Sequence, residues 1–424
     1  MMEHGGCFIN WCISAVLIGF TLPVYAQDSS LEVDIFADAR VTVTSGEPTW
    51  FNDWLGKGRY GGERDKGTDA EFRLAEVSLL AKYNLTWDLH AFAHVKYDPE
   101  QDKPADVVEA YFSYEPVPKS ALRYSFKAGL YFPHISRENT GIAWTSPYTI
   151  TPSAANSWVG EEIRALGIEA KAEYRHEMHR LAFTVGIFGM NDPAGTLLAF
   201  RGWGIGDAKV GAFSQVPLVS LPVFTAEGGF IPQPTWVHPV REIDGRPGYY
   251  MAADWRYGRS VSVGVFYYDN RGDPEAFEHK QYAWDTRFWN AYIEAEPVKG
   301  LKLISQYMFG RTEMGPKGWG GSDRRYLDVN FDTVYLLASQ EFGKYRISGR
   351  GEWFGVEDNS LLSIDNNNED GYAFTVALSR KIGARDILMM EYLYINSDRP
   401  ARAYIGFEPH QENSLLQLSF RKVF

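Results

Sequence analysis

Apolar and polar residues alternate along most of this chain. Leu31, Val33, Ile35, Ala37, Ala39, Val41 and Val43 take every second position, with Glu32, Asp34, Phe36, Asp38, Arg40 and Thr42 between them. Period two is the pattern of a β-strand with one apolar and one polar face. It recurs at residues 77–83, 87–97, 108–114, 122–130, 166–174, 181–189, 249–257 and 261–267, and again at 289–295, 301–309, 334–342, 345–353, 372–378, 388–394 and 416–424. The prediction is about sixteen strands, an even number. Trp87 and Tyr97 bracket the third, as Tyr249 and Tyr257, and Tyr345 and Trp353, bracket others. Ten residues of strand cover about 33 Å, and a tilt of roughly 40° projects this onto about 25 Å, the apolar band between the aromatic girdles of a transmembrane barrel.

The connections alternate in length. Those at 84–86, 116–121, 175–180, 258–260, 297–300, 343–344 and 381–385 are short, and the intervening ones are long. That asymmetry belongs to barrels with short turns at one end and long loops at the other. One long connection stands apart. Residues 132–163 carry Pro133, Pro147 and Pro152, which block a long helix or a central strand, yet also Ile142, Trp144, Ile150, Trp158 and Val159, which need burial. The simplest place to bury such a segment is the inside of the barrel. The fold class is therefore all-β: a transmembrane antiparallel β-barrel of about 16 strands with an inward-folded constriction loop.

Composition fits a barrel facing both lipid and water. Aromatic residues make up 15% of the chain while charged residues make up 23%. Residues 8–22 are mostly apolar and precede Val24-Tyr25-Ala26, a small-x-small cleavage pattern, so residues 1–26 read as a secretory signal peptide and 27–424 as one barrel domain. Both cysteines, Cys7 and Cys12, fall in the removed segment, so the mature chain has no disulfide. Removal takes one acid, Glu3, leaving 42 basic against 53 acidic residues and a charge of −11. A modestly acidic chain is a poor partner for nucleic acid. The loop 191–247 is apolar around 216–224 and either lids the mouth or covers a neighbouring subunit.

The final residues, NSLLQLSFRKVF, alternate and end on Phe424, resembling the assembly signal of Gram-negative outer-membrane proteins. KAGLYFPHISREN followed by SWVGEEIRALGIEA, and MMEYLYINSDRP with ENSLLQLSF, are similar to the matching regions of the phosphate-selective porin O and P family. The resemblance implies a sixteen-stranded, trimeric channel in the outer membrane, in contact with its lipids, that passes small hydrophilic solutes or ions through a pore narrowed by the inward loop. Phosphate selectivity rests on lumenal bases. Here the inward positions of five clear strands carry Arg40, Lys96, Lys171, Arg256, Arg346 and Arg350 against nine acids, Glu32, Asp34, Asp38, Asp88, Asp98, Glu169, Glu173, Asp254 and Glu352, which does not make an anion funnel.

If the segment lies in the lumen, its Arg137, Glu138, Trp144, Tyr148, Trp158, Glu161 and Glu162 form the constriction, and Arg40, Lys96, Lys127, Arg346, Arg350 and Glu352 form the facing wall. Ala91, Ala93, Ala110, Ala128, Ala170 and Ala172 give strands three to six small outward side chains, a surface on which subunits of a trimer can approach closely. The rival classes are a barrel hydrolase and a structural or adhesin barrel. His134, His238, His279 and His410 are the candidate bases for the former, and none stands in a GxSxG-like context. His90 and His94 are too far apart on one strand to share a metal, and no cofactor motif is present: the 202–206 glycines have no strand before them, and the acidic run 365–371 is out of register for a calcium loop.

Overall fold

The structure is a computed structural model that describes residues 30–62, 68–225, 233–318, 322–362 and 364–424; the signal segment 1–26 lies outside them. Sixteen strands form one closed antiparallel barrel. In chain order they are β1 Leu31–Ser45, β2 Thr68–Asn84, β3 Leu89–Tyr97, β4 Ala105–Tyr114, β5 Leu122–Tyr131, β6 Ala165–His176, β7 His179–Gly189 and β8 Gly248–Tyr257. There follow β9 Val261–Asp269, β10 Asp285–Ala295, β11 Leu301–Lys317, β12 Arg325–Phe342, β13 Tyr345–Asp358, β14 Glu369–Lys381, β15 Ile387–Asp398 and β16 His410–Val423. Each strand pairs with its neighbour in sequence, and β1 closes the ring on β16 from Phe36↔Val423 to Ser45↔Ser414. Closure removes the unpaired edge that no lipid-exposed sheet can carry.

Every strand expected from the alternation is present. The largest boundary differences are at β2, which begins at Thr68 rather than near residue 77, and at β12, which begins at Arg325 rather than near residue 334, with β11 running on to Lys317 rather than 309. The pairing of β2 with β1 slips between Asp38 and Ala39, and opposite this bulge Ala75 and Glu76 are both buried. One inserted residue moves the outward set from Phe72 and Leu74 to Val77 and Leu79, so the period-two signal breaks in mid-strand. The bracketing aromatics Trp87, Tyr97, Tyr257, Tyr345 and Trp353 are exposed on the outside. The wall is uneven: β3 to β10 have nine to twelve residues each, whereas β2, β11 and β12 have 17, 17 and 18.

The interior is packed on one side. Residues 132–164 leave β5 and lie against inward side chains of β10 to β16, where Glu391 accepts from the amides of Ile150 and Thr151 and Arg421 donates to the carbonyl of Ser146. Within this segment α1, Ala154–Glu162, is buried along its whole length. Its first amides are taken by carboxylates, Ser153 by Glu138 at 2.9 Å and Ala154 by Glu352 at 2.7 Å, so acids bound from elsewhere do the capping. Above it, α2, Thr196–Phe200, brings Leu197, Leu198 and Phe200 into contact with a cluster that includes Trp158, Trp203, Trp284, Phe288 and Phe331. Trp158 lies edge-on to Trp203, Phe288 and Phe331 at 6.1, 5.2 and 5.3 Å. This apolar core sits inside the ring of strands.

Trp158→Ala therefore empties a site that the stiff surrounding wall cannot collapse into, and should cost about 3–5 kcal/mol. The urea concentration at which the folded, fast-migrating gel band disappears measures it; an unchanged midpoint would mean that the core carries no stability.

Candidate functional site

The expected constriction residues are placed in two different settings. Glu138, Trp158, Glu161 and Glu162 are buried and engaged. Glu138 meets Arg350 at 3.0 Å and accepts from Asn156 at 2.7 Å. Glu161 pairs with Arg201 at 2.6 Å. Glu162 accepts from the indole of Trp158 at 2.6 Å and the amide of Leu197 at 3.1 Å, and burial, only partly offset by these bonds, pushes its carboxyl up to about 7. These side chains tie residues 132–164 in place and offer no surface to a solute.

The expected wall residues divide in the same way. Arg40 pairs with Asp38 at 2.7 Å and with Asp207, Lys96 with Asp98 at 3.2 Å, and Arg350 with Glu352 at 3.0 Å, all of them buried. Arg350 also donates to the carbonyls of Thr151 at 2.8 Å and Pro152 at 3.0 Å, which makes it the principal clamp on the segment. Arg346 is half-buried, paired with Glu341 at 2.5 Å, with its guanidinium 5.2 Å from the centre of the half-buried Tyr148 ring. Trp144 stacks on Phe132 at 4.1 Å, and Lys127 lies 4.9 Å from both Tyr111 and Tyr131.

Free lumenal surface lies at the short-turn end, on the opposite side. Lys82, His90, Phe92, Tyr111, Lys127, Glu169 and Lys171 are all half-exposed there. Between residues 134–137 and strands β6 to β10 is a cavity of about 120 Å³, room for about four waters, lined by His134, Arg137, Lys171, Arg180, Arg256 and Tyr292 together with Glu173 and Asp254. Arg137 is held by Glu294 at 2.5 Å and lies 3.9 Å from the centre of the Tyr292 ring. It also donates to Nε2 of His134 at 2.8 Å; burial, and then the charge of Arg137, depress the imidazole to about 3, so it is neutral at pH 7. The acids are occupied: Glu173 by Arg175, Asp254 by the Tyr292 hydroxyl, and Glu169 by the Tyr250 hydroxyl at 2.7 Å. Among the described residues Lys171, Arg180 and Arg256 make no ion pair. Of these, Lys171 and Arg256 were legible as inward positions, but nothing in the sequence marked them as the free ones.

Two constellations resemble chemistry without supplying it. Ser78 lies 2.9 Å from Nε2 of His94, but the acid, Glu76, is bonded to the serine rather than to the imidazole, and the group is enclosed. Asp192, Glu242 and Asp244 bring carboxylate oxygens together, and backbone amides of residues 190, 243–246 and 273 account for the arrangement by donating to them.

No protein-family model matches the chain, and no curated protein matches its sequence. Solved structures do. The outer membrane channel DcaP of Acinetobacter baumannii is 10% identical, covers 94% of this chain and 99% of its own, and superposes with a TM-score of 0.51. A loop L8 deletion mutant of OmpT, an outer membrane protein of Vibrio cholerae, is 11% identical, covers 93% and 100%, and has a TM-score of 0.50. The fold is that of outer-membrane β-barrels. At such low identity the likeness is one of architecture.

Arg350→Ala should leave Glu138 and Glu352 buried without a counter-charge, a loss of about 3–5 kcal/mol. Arg346→Ala, at a half-exposed pair, should cost about 1 kcal/mol or less. Equal shifts in the unfolding midpoints of the two variants would contradict the assignment of Arg350 as the clamp.

Proposed function

We propose that this protein is an outer-membrane porin of a Gram-negative bacterium, exported by its signal peptide, with no catalytic role, whose barrel passes small hydrophilic solutes and favours anions. The observation that carries this reading is the set of free cations, Lys171, Arg180 and Arg256, facing lumenal space in which Glu173 is paired with Arg175 and Asp254, bonded by the neutral Tyr292 hydroxyl, is the one carboxylate without a counter-charge. The inward acids outnumber the bases along the strands, but a count along strands weighs covered and uncovered charges alike. Asp38, Asp98 and Glu352 are spent on Arg40, Arg59 and Arg350 under the loops. The same pairs remove Arg40, Lys96 and Arg350, so the balance is decided locally: at the cavity beside residues 134–137 the unpaired Lys171, Arg180 and Arg256 face Asp254, and charges beside low-dielectric walls act strongly on a passing ion.

Purified protein in planar bilayers should give stepwise conductance, with a reversal potential in a salt gradient on the anion side. Lys171→Gln combined with Arg180→Gln and Arg256→Gln should move it toward cations. Silent bilayers from correctly folded protein would overturn the porin reading, and an unmoved potential would overturn the role of these three.

The same reading includes a trimer joined through the low wall. Ala93 and Ala110 face one another across β3 and β4, with Ala170 and Ala172 on β6, on the side where strands are short. Small side chains let walls approach in lipid, where no hydrophobic force drives association. Ala93→Trp and Ala170→Trp should convert trimers to monomers on native gels; trimers that survive both and dissociate on Trp289→Ala would put the interface on the tall side.

A further inference from the structure

One register of the barrel carries like charges side by side. Arg175 of β6 pairs directly with Arg180 of β7, and Arg180 with Arg256 of β8, so three arginines on the inward face form one cross-strand row. Directly opposed residues have Cβ atoms about 4.5–5.5 Å apart, and like charges placed so are destabilising. Glu173 answers one end of the row, bonded to Arg175. Arg180 and Arg256 are exposed to the lumen and, among the described residues, make no ion pair. Lys171, also inward on β6, reaches the same cavity and is unpaired in the same way. Where the lumen is covered, by contrast, bases are matched by acids: Arg40 by Asp38, Lys96 by Asp98 and Arg350 by Glu138. The repulsion along the row is therefore left standing only where a solute can reach it.

The cavity also holds one acid that no base pairs with. Asp254, on the inward face of β8, accepts from the Tyr292 hydroxyl through Oδ1, and its Oδ2 makes no hydrogen bond among the described residues. Tyr292 is itself fixed, with its ring 3.9 Å from the guanidinium of Arg137 and its hydroxyl 3.3 Å from that of Ser262. Asp254 is thus positioned by a neutral donor and presents a free oxygen to a space whose other unpaired charges are positive. Resting on the porin reading, we infer that this cavity binds a small solute carrying two carboxylates and one ammonium group, an amino dicarboxylic acid. The carboxylates meet Arg180, Arg256 and Lys171; the two guanidinium groups offer planar forks that each hold a carboxylate by paired hydrogen bonds. The ammonium meets Oδ2 of Asp254. A plain dicarboxylate would face Asp254 with like charge, and a solute with a single carboxylate would leave cations of the row unmatched. The cavity, about 120 Å³, opens beside the exposed Arg180 and Arg256, so a short-chain solute can enter from the lumen and leave again.

Block of the ion current tests this. With channels in planar bilayers in potassium chloride at pH 7, added L-glutamate should block at a lower concentration than glutarate, which has the same carbon chain without the ammonium. It should also block at a lower concentration than 4-aminobutyrate, which lacks one carboxylate. Asp254→Asn separates the two roles open to this acid, because they have opposite signs. As partner of the ammonium, its loss should raise the half-blocking concentration of glutamate about tenfold and should not raise that of glutarate. As a source of repulsion alone, its loss would lower both. Arg180→Gln combined with Arg256→Gln should weaken block by glutamate and glutarate alike. Equal block of the wild type by glutamate and glutarate, or tighter block by glutamate in Asp254→Asn, overturns the amino-dicarboxylate site and leaves the porin reading intact. Silent bilayers from correctly folded protein overturn both.

Discussion

Sixteen tilted strands enclose more cross-section than their own inward side chains can fill. Everything else in this protein answers that constraint. The space must be hydrated or occupied by chain, and here the two solutions divide the lumen. Against β10 to β16 the chain occupies it with residues 132–164 and α2, building a buried aromatic core. Against the short-turn ends of β2 to β9 it is left half-exposed and polar. An ordinary diffusion channel needs only the second. The first gives the protein an inner body of its own, fixed to one side of the wall.

Charge does the positioning throughout. The segment 132–164 carries proline and little regular structure, so its amides and carbonyls need partners from the wall. Glu391, Glu352 and Glu138 take amides, while Arg350 and Arg421 take carbonyls. A buried carboxylate that accepts backbone N–H groups and a guanidinium that spreads several donors are suited to this work, because each satisfies several polar atoms at once. Their net contribution to stability is modest, but the cost of removing one partner is not. The arrangement fixes a single position for the segment more than it strengthens the barrel.

The barrel was legible because lipid on one side and water or packed chain on the other impose period two on every strand. Even the strand number followed; of the large boundary differences, the one at β2 comes from the bulge at Asp38–Ala39, where one extra residue inverts the pattern, while β11 and β12 run on into stretches such as 326–329 that are buried on both faces and so lose the alternation. The inward segment was legible from prolines set among buried-type aromatics. The roles of its charges were not. Glu161 and Glu162 read as pore-lining acids because charges on a segment inside a lumen are expected to face its water, but α2 and the residues after it cover them, and nothing local in 154–162 encodes a cover supplied from residues 196–210. Likewise Lys171 and Lys96 look identical as inward lysines on alternating strands. Their difference lies in whether a distant acid, Asp98 for Lys96, reaches them.

The chain beyond α2 is held in both ways at once. Ile205, Ala208 and Val210 belong to the same buried apolar cluster as Trp203 and Leu197, while Asp207 and Lys209 between them pair with Arg40, Arg59 and Glu76. Apolar contacts are non-directional and lose their contribution when water enters, so they hold this chain inside the barrel without choosing its register. Ion pairs and hydrogen bonds gain little net free energy but are directional, and breaking one partner is costly, so they set which wall residue each position meets. The indole of Trp203, hydrogen-bonded to Gly355 of β13 at 2.9 Å, and the amide of Ile205, hydrogen-bonded to Lys57 at 2.7 Å, show the two working on neighbouring residues.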